Sequence, residues 1–472
     1  MSTTTPMNCD PNALAILHRL RAAGHEAYLV GGCVRDHLMN LQPDDWDIAT
    51  SACPDAVEAL FERTVPVGKS FGVILVVLDE HEYQVATFRG DGTYTDGRRP
   101  DHVAFTDAEE DVKRRDFTIN ALLYDPDADR VLDFVGGQQD IYSRVLRTVG
   151  DPRQRFREDH LRLLRAVRFA ARTGFTIEPA TLAAMRELRD LVKTVSGERV
   201  GQELVRMFSE GSAGPALRLL EASGLLDSAL PEVARMRGVP QPPEYHPEGD
   251  VLTHTLLMLD GLDATLKTAT DSAASDDRPV VAALRTDEDA PEILAWAVLL
   301  HDVGKPVTIT YEDRIRFDCH DGRGAEIARD LLGRLRRPAR IIDAVGTLIG
   351  RHMKFSHIRD MREAKRRRLV QAPLFPLDLE LHRLDCDGSH RLFDHYEFAT
   401  AAWFEEKARP PVAKPLLSGH DLIALGFSPG PRLGEILRAV DDLHLENILQ
   451  DRAAALAWVG EHYPPAKPGV SP

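Results

Sequence analysis

The sequence predicts an α+β protein: a mixed-sheet head, an all-α neck and an all-α body. Three observations carry this. Up to about residue 140, strand-length apolar runs alternate with Gly- and Asp-containing turns. From 154 to 232 apolar residues recur three and four apart, with few strand signals. Beyond a Pro-rich stretch at 239–250, a second helical region carries histidines and aspartates at its helix ends. A chain of 472 residues has room for two to four domains.

In chain order, residues 12–23 read as a short helix. Strand-like runs follow at 27–31, 46–50, 71–78, 83–88, 117–124 and 131–134. VPQPPEYHPEGD (239–250) reads as a linker. The Ala/Ser/Asp-rich stretch 264–291 reads as a mobile insertion in the second helical region. A break at ARPPVAKP (408–415) precedes a last helical segment, and the tail PPAKPGVSP is expected to be disordered.

Composition narrows the class. No run approaches the ~20 apolar residues of a membrane helix, and the first residues show no signal-peptide pattern. Five scattered cysteines without metal-ligand spacing suggest reduced thiols in a cytoplasmic protein. A net charge of −16 argues against a generic nucleic-acid binder. Yet residues 144–172 hold nine arginines against three acids, and 351–370 hold eight Lys/Arg against two. Local basic surface on an acidic chain fits selective contact with one RNA region.

The first chemical constellation is LVGGCVRDHLMN…PDDWDIAT (29–50). A strand ending at Val30 runs into Gly31 and Gly32, a turn whose amides can approach a phosphate. The helix beginning there favours anions, and Arg35 adds a cation. Asp45 and Asp47 follow on a short strand, where i and i+2 share a face. Two carboxylates on one face repel unless a cation lies between them, and Mg²⁺ favours oxygen ligands and substrate phosphates. As a lone signal either piece is weak, and the plain glycine turn and acidic loop is the default reading; the ordered combination is what points to function.

Together, GG-x-V-R-D followed by D-x-D resembles the polymerase-β-type nucleotidyltransferase superfamily. The spacing is similar to that of the bacterial CCA tRNA nucleotidyltransferase/poly(A) polymerase family. The resemblance implies that Asp45 and Asp47 hold catalytic Mg²⁺ and that Gly32 and Arg35 contact a nucleoside triphosphate. KRRDFTINALLY (113–124) resembles the next family motif. It implies a triphosphate or ribose contact for Arg115, with Asp116 positioning it or joining the acidic site. The loop RGDGTYTDGRRPDHVAF (89–105) is similar to a mobile loop associated in the family with adding the terminal A. At one point the chain departs: relatives often have an acidic residue in the strand matching YQVATFR, where this chain has Gln84, with Glu82 two residues earlier.

REDHLRLLRAVRFAARTGF (157–175) read as one helix places Arg162, Arg165, Arg168 and Arg172 on one face. Such a stripe, without acids between, is costly unless anions bind. By resemblance, E-D-x-x-R reads the incoming base through Asp159 and Arg162, and Arg165 and Arg168 add nucleotide contacts. The chemistry fits. Cytosine and adenine each present an amino donor beside an unprotonated ring nitrogen, matching a carboxylate and a guanidinium. Guanine and uracil present the reverse pattern, and each unpaired group in a closed site costs ~1–3 kcal/mol. SGERVGQELVRMF (196–208) resembles the helical motif that follows, with a structural role expected. The resemblance covers roughly 14–235.

In the C-terminal half, His254, His301-Asp302, His320, His352 and Asp385 appear in order. A lone histidine in an apolar helix is usually a core residue; an adjacent His-Asp pair with four further candidates is not the usual core pattern. H…HD…H…H…D resembles the HD superfamily of metal-dependent phosphohydrolases over about 246–405. It implies one metal at His254, His301, Asp302 and Asp385, with His320 and His352 supporting a second, and Lys305 at a phosphate. The donors suit Mn, Fe, Ni, Co or Zn, or Mg. The basic run 362–368 reads as a solvated helix face or a tRNA backbone contact.

The expected organisation is a nucleotidyltransferase head (1–145), a helical neck (146–238), an HD body (246–405) and a C-terminal helical segment (406–472). The expected reaction is untemplated addition of CCA to tRNA 3′ ends from CTP and ATP. The alternatives are an A-adding or poly(A) enzyme of the same family, a phosphohydrolase with a merely nucleotide-binding head, and a non-catalytic RNA-binding protein.

Overall fold

The computed structural model describes residues 7–92, 97, 103–311, 313–409 and 415–463. Most of the 89–105 loop, most of the 408–415 break and all of the tail lie outside them. The described residues form two compact units: residues up to Arg237 with 330–338, and residues 238–329 with those from 339 onward.

In the first unit, helix α1 (Pro11–Ala22) starts where Asp10 accepts from the Ala13 amide at 2.8 Å, with Pro11 at its first position. It buries Ala13, Ile16, Leu17 and Leu20 on one side. Strands β1 (Ala27–Val30), β2 (Asp47–Thr50), β3 (Thr64–Gly68), β4 (Val73–Leu78) and β5 (His81–Thr87) follow. The small hairpin β6 (Arg89–Asp91) and β7 (Val103–Phe105) stands apart, and β8 (Leu123–Asp125) and β9 (Arg130–Leu132) rejoin the main sheet. Its order is β3-β4-β5-β2-β1-β8-β9. Only β2 and β5 run parallel; the other neighbours are antiparallel, so the sheet is mixed. Val30, Ala49 and Leu123 pack on one face with Phe88 and Val112.

Three local expectations need correction. Asp45 precedes β2, so only Asp47 is a strand residue. The run 117–124 is not one strand: Thr118–Asn120 form a tight 3-10 turn before β8. β3, which contains Pro66, was not foreseen. It is an edge strand with Val65 and Val67 exposed, where a missing N–H costs little.

Helices α2 (Gly32–Leu38), α3 (Pro54–Leu60), α4 (Ala108–Lys113) and α5 (Gly137–Ser143) flank the sheet strands in sequence. The neck segment continues with α6 (Pro152–Glu158), α7 (Arg162–Thr173), α8 (Pro179–Leu188), α9 (Gly197–Ser209) and α10 (Ala213–Ser223). The basic helix expected over 157–175 is therefore broken. Asp159 caps α6 in an extended conformation, and α7 begins only at Arg162. α7 ends at Gly174, whose φ of 66° suits glycine. Short helices α11 (Leu225–Ala229) and α12 (Pro231–Ala234) close the segment.

Apart from a short hairpin of Ile309–Tyr311 with Ile315–Phe317, which departs from the all-α expectation, the second unit is helical: α13 (Val251–Thr270), α14 (Pro279–Thr286), α15 (Ala290–Leu300), α16 (Lys305–Thr308), α17 (His320–Arg334, its end from Asp330 counted with the first unit), α18 (Ala339–Ile349), α19 (Glu363–Gln371), α20 (Phe375–Gly388) and α21 (Asp394–Ala408). α15 is buried on all sides from Ile293 to Leu300, which makes it the central helix. The stretch 264–291 is not an unpacked insertion. α13 runs through it to Thr270, α14 buries Val280 and Val281, and Arg278 pairs with the buried Glu380 at 3.2 Å. The last segment, α22 (Gly419–Ala424), α23 (Pro431–Leu445) and α24 (Arg452–His462), has its own core of Leu422, Ile436, Val440 and Val459. Among the described residues no helix is long and apolar enough to cross a membrane, and all five cysteines are free thiols.

Candidate functional site

The head site grows from the β1–α2 turn. Gly31 takes φ +82° and its amide donates to the Leu122 carbonyl at 3.1 Å, which aims the turn at the start of α2. The register Val30↔Asp47 sets Asp47 beside this turn. Asp45 is exposed and Asp47 half-buried, and neither makes a side-chain ion pair among the described residues. Burial pushes Asp47 up to about 6, Arg115 opposing and Asp45 adding to the rise. An unpaired carboxylate pair of this kind fits a divalent cation. The register Ile48↔Val85 carries Gln84 alongside Asp47, one residue beyond the paired stretch. The neighbouring strand thus offers an amide, not a carboxylate, and Glu82 lies a further two residues away.

Arg115 faces the turn: a Cβ on Gly31 would lie 3.8 Å from its Nη1. Its other nitrogens are held by Asp111, with Nη2 at 3.0 Å. Asp111 also binds Arg114 at 2.6 Å, and it is almost fully buried. Burial pushes the Asp111 carboxyl up, but Arg115 and Arg114 hold it below its ordinary range. Asp111 therefore has the orienting place that the sequence suggested for Asp116. Asp116 instead accepts from Arg165 Nε at 2.8 Å and Nη2 at 2.6 Å. Arg35 is buried, with Nε on Asp36 at 2.8 Å and Nη1 on the Asn120 side-chain oxygen at 2.6 Å. Gly32 lies next to it, 3.7 Å from Arg35 Nη2 at a Cβ position.

The arginines of α7 do have acids, supplied from elsewhere in the chain. Arg162 donates to Glu158 at 2.7 Å and to the Arg114 carbonyl at 3.1 Å. Arg168 donates to Glu203 of α9 at 2.6 Å. Arg172 reaches Asp44 at 3.6 Å. Arg35, Arg165 and Arg168 all lie over the Phe169 ring, at 5.6, 5.1 and 4.3 Å from its centroid. Asp159 is held not by Arg162 but by Arg199 of α9, at 3.0 Å. α9, expected to be mainly structural, supplies partners to Asp159 and Arg168.

In the second unit all six candidate ligands converge. His254 Nε2 lies 3.1 Å from Asp385, and His301 Nε2 lies 3.1 Å from Asp302. His320 Nε2 lies 3.3 Å from His352 Nε2 and 3.5 Å from Asp302. His254, His301 and Asp385 form one potential metal-binding group, and Asp302, His320 and His352 another. The buried Nε2 atoms of His254 and His301 make no well-aligned hydrogen bond and face only the carboxylates of Asp385 and Asp302, which fits ligation. Burial pushes His352 down to about 4, keeping it neutral. Burial also lowers His254, but Asp385 and Glu248 outweigh it and hold the imidazole up at about 9. Burial raises Asp302, but His301 and Lys305 hold it well below the carboxylate range.

The segment 239–250, read as a linker, belongs to this centre. Gln241 is buried and accepts from Lys305 Nζ at 2.7 Å, while Lys305 also pairs with Asp302 at 2.6 Å. Glu248 lies 2.8 Å from both His246 Nδ1 and His254 Nδ1. Farther along, the basic run is tied to acids: Arg367 to Glu406 at 2.8 Å and Arg362 to Glu446 at 3.5 Å.

A carboxylate pair beside a glycine turn, with an arginine-rich neck behind it, defines a nucleotidyltransferase-type head, and the buried His/Asp cluster defines an HD-type body. The comparisons agree. The poly A polymerase head domain matches residues 27–147, the "probable RNA and SrmB-binding site of polymerase A" matches 174–236, and the HD domain matches 254–385. The CCA-adding enzyme of Bacillus subtilis (strain 168) is 48% identical over 209 residues, 44% of this chain and 52% of that protein. That of Bacillus velezensis is 46% identical over 215 residues, 45% of this chain and 54% of that protein. The chain thus spans about half the length of the curated relatives it matches. The crystal structure of the Bacillus stearothermophilus CCA-adding enzyme in complex with CTP matches with a TM-score of 0.71 and 27% identity, covering 96% of this chain and 98% of that one. The chain therefore carries a poly A polymerase-type head domain, the RNA-binding segment that follows it and an HD domain, and is similar to CCA-adding enzymes.

Proposed function

We propose that the chain adds CCA to the 3′ end of tRNA in the cytoplasm, using CTP and ATP and releasing pyrophosphate. The observation that carries this reading is the unpaired Asp45–Asp47 pair beside the Gly31–Gly32 turn, with Arg115 facing that turn. The three domain matches and the similarity to CCA-adding enzymes support it.

Asp45 and Asp47 would hold Mg²⁺, which when bound supplies Lewis-acid activation of the attacking hydroxyl and charge neutralisation at the leaving pyrophosphate. The Gly32 amide at the start of α2 and the Nη1 face of Arg115 bind the triphosphate. Asp111 keeps Arg115 aimed at it. Arg35, Arg165 and Arg168 wall the same region around Phe169. The tRNA 3′-hydroxyl then attacks the α-phosphate in line, and the bond to the β-phosphate oxygen breaks. Asp159 and Arg162 select cytosine and adenine by accepting from the amino group and donating to the ring nitrogen. For that, Arg162 must turn from Glu158 and Asp159 from Arg199.

A second activity is proposed on separate grounds. The six converging ligands, with the buried Nε2 atoms of His254 and His301 turned into the cluster, support metal-dependent phosphoester hydrolysis in the HD body. A transition metal there would supply an activated water.

Asp45→Asn tests the first reading. It should abolish CTP incorporation into tRNA lacking CCA while leaving tRNA retention in a gel-shift assay within about twofold. Undiminished incorporation would refute the metal-site assignment.

A further inference from the structure

Each histidine of a metal centre must present one ring nitrogen, and the hydrogen bond made by the other decides which. His301, His320 and His352 solve this alike. Each gives Nδ1 to the carbonyl three residues earlier: Val298 at 2.9 Å, Phe317 at 2.8 Å and Ile349 at 2.7 Å. Their Nε2 atoms face the cluster.

His254 is different. It lies in the first turns of α13, where the Val251 carbonyl three residues back already accepts the Thr255 hydroxyl at 2.9 Å. Its Nδ1 meets Glu248 Oε1 at 2.8 Å and, more weakly, the Gly388 carbonyl at 3.4 Å. The Glu248 side chain is only 8% exposed, and its Oε2 is buried without a partner. The His246 ring stacks edge-on against His254 with centroids 5.0 Å apart, and its Nδ1 shares Glu248 Oε1.

We infer that Glu248 is a positioning residue of the HD centre: it fixes the His254 ring through Nδ1 so that Nε2 faces the metal, and it makes His254 the most strongly donating of the histidine ligands. A carboxylate acceptor draws the Nδ1 proton more strongly than a carbonyl does, which raises electron density at Nε2. It also brings a third carboxylate, after Asp302 and Asp385, close to a dication. Because Oε1 accepts from two imidazoles, Glu248 acts through His254 and is not itself a ligand. The inference rests on the reading of this cluster as a metal centre.

The test is calorimetric titration of the metal-stripped full-length chain with CoCl₂, for the unaltered protein, Glu248→Gln and Glu248→Ala. The expected result is an unchanged number of bound ions, with Kd raised roughly tenfold in E248Q and up to about 100-fold in E248A. The Co²⁺-loaded unaltered protein should also show a hyperfine-shifted, slowly exchanging N–H proton signal from His254 that E248A loses. No Co²⁺ binding by the unaltered chain would sink the metal-centre reading and this inference with it. Tight binding by all three proteins would sink the inference alone. Loss of a whole equivalent of Co²⁺ in the variants would make Glu248 a ligand and overturn the positioning role. Loss confined to E248A, with E248Q binding as the unaltered chain does, would mark the side chain as packing only and overturn it too.

Discussion

Asp116 accepts both Nε and Nη2 of Arg165, at 2.8 and 2.6 Å, across 49 positions of sequence. Both nitrogens converge on Oδ2, while Oδ1 accepts the Phe117 amide at 2.8 Å. The bond joins the residue after Arg115 to the middle of α7. It thus ties the Arg115 side of the head to the helix that begins at Arg162.

This pair should be structural as well as functional. Asp116 is 11% exposed and Arg165 30%. Arg165→Ala leaves a carboxylate nearly buried and unpaired, and should destabilise the first unit by roughly 2–4 kcal/mol, at the lower side of the buried-pair range. In a urea-denaturation cycle with Asp116→Asn, the two substitutions should couple by about 1–3 kcal/mol. Additive effects would mean the pair contributes nothing.

Base selection should fail when its two readers are removed together. Asp159→Ala with Arg162→Ala should admit UTP and GTP with discrimination reduced by at least about 100-fold, as unpaired groups no longer penalise the wrong base. Arg199→Ala removes only the partner that holds Asp159 and should cost less than tenfold. Competitive incorporation with mixed nucleotides measures both; intact selectivity in the double variant would defeat the protein-template reading.

The acid limb of the nucleotidyl transfer should follow Asp47. Burial raises this carboxyl to about 6 in the metal-free chain. The protonated form does not ligate Mg²⁺, so affinity is full above that value and should fall about tenfold per pH unit below it. Mg²⁺ titration of CTP incorporation between pH 5 and 8 reads this directly, with Asp47→Glu as comparison. An apparent Mg²⁺ affinity flat across that range would contradict the assignment.

Gly304 should tolerate no side chain. A Cβ there would overlap the His320 carbonyl and press on the Gly324 amide, both backbone atoms that cannot swing aside. Gly304→Ala should therefore move His320 and weaken Co²⁺ binding by at least about tenfold, with a lower melting temperature. Gly322→Ala, which meets open space in the first turn of α17, should change neither by comparison.

Much of the site is legible in the sequence because its signals are local. Gly31–Gly32, Asp45 and Asp47 lie in one turn and at the entry to one strand, and the six HD ligands stand near helix ends. The partners are not legible, because they come from distant segments. Nothing near Arg115 distinguishes Asp111 from Asp116 as its holder; only the α4 turn does. The argument that four arginines on one stripe require bound anions misses Glu203 and Asp116, which reach α7 from α9 and the head. The 157–175 run reads as one helix by periodicity, yet Asp159 leaves helical geometry and bonds the Leu161 amide at 3.1 Å. Proline density made 239–250 look like a tether, although Gln241, His246 and Glu248 bond into the HD cluster there.

The most direct test of the central claim is incorporation by the purified chain on three tRNAs: one lacking CCA, one ending in C and one ending in CC. Each is offered CTP and ATP singly and together. The account predicts that every acceptor is completed to CCA, that CTP alone extends only the first two, and that growth then stops. Addition of A alone to the CC-ended tRNA, or A-tails of increasing length, would contradict it and make the chain an A-adding or poly(A) enzyme of the same family.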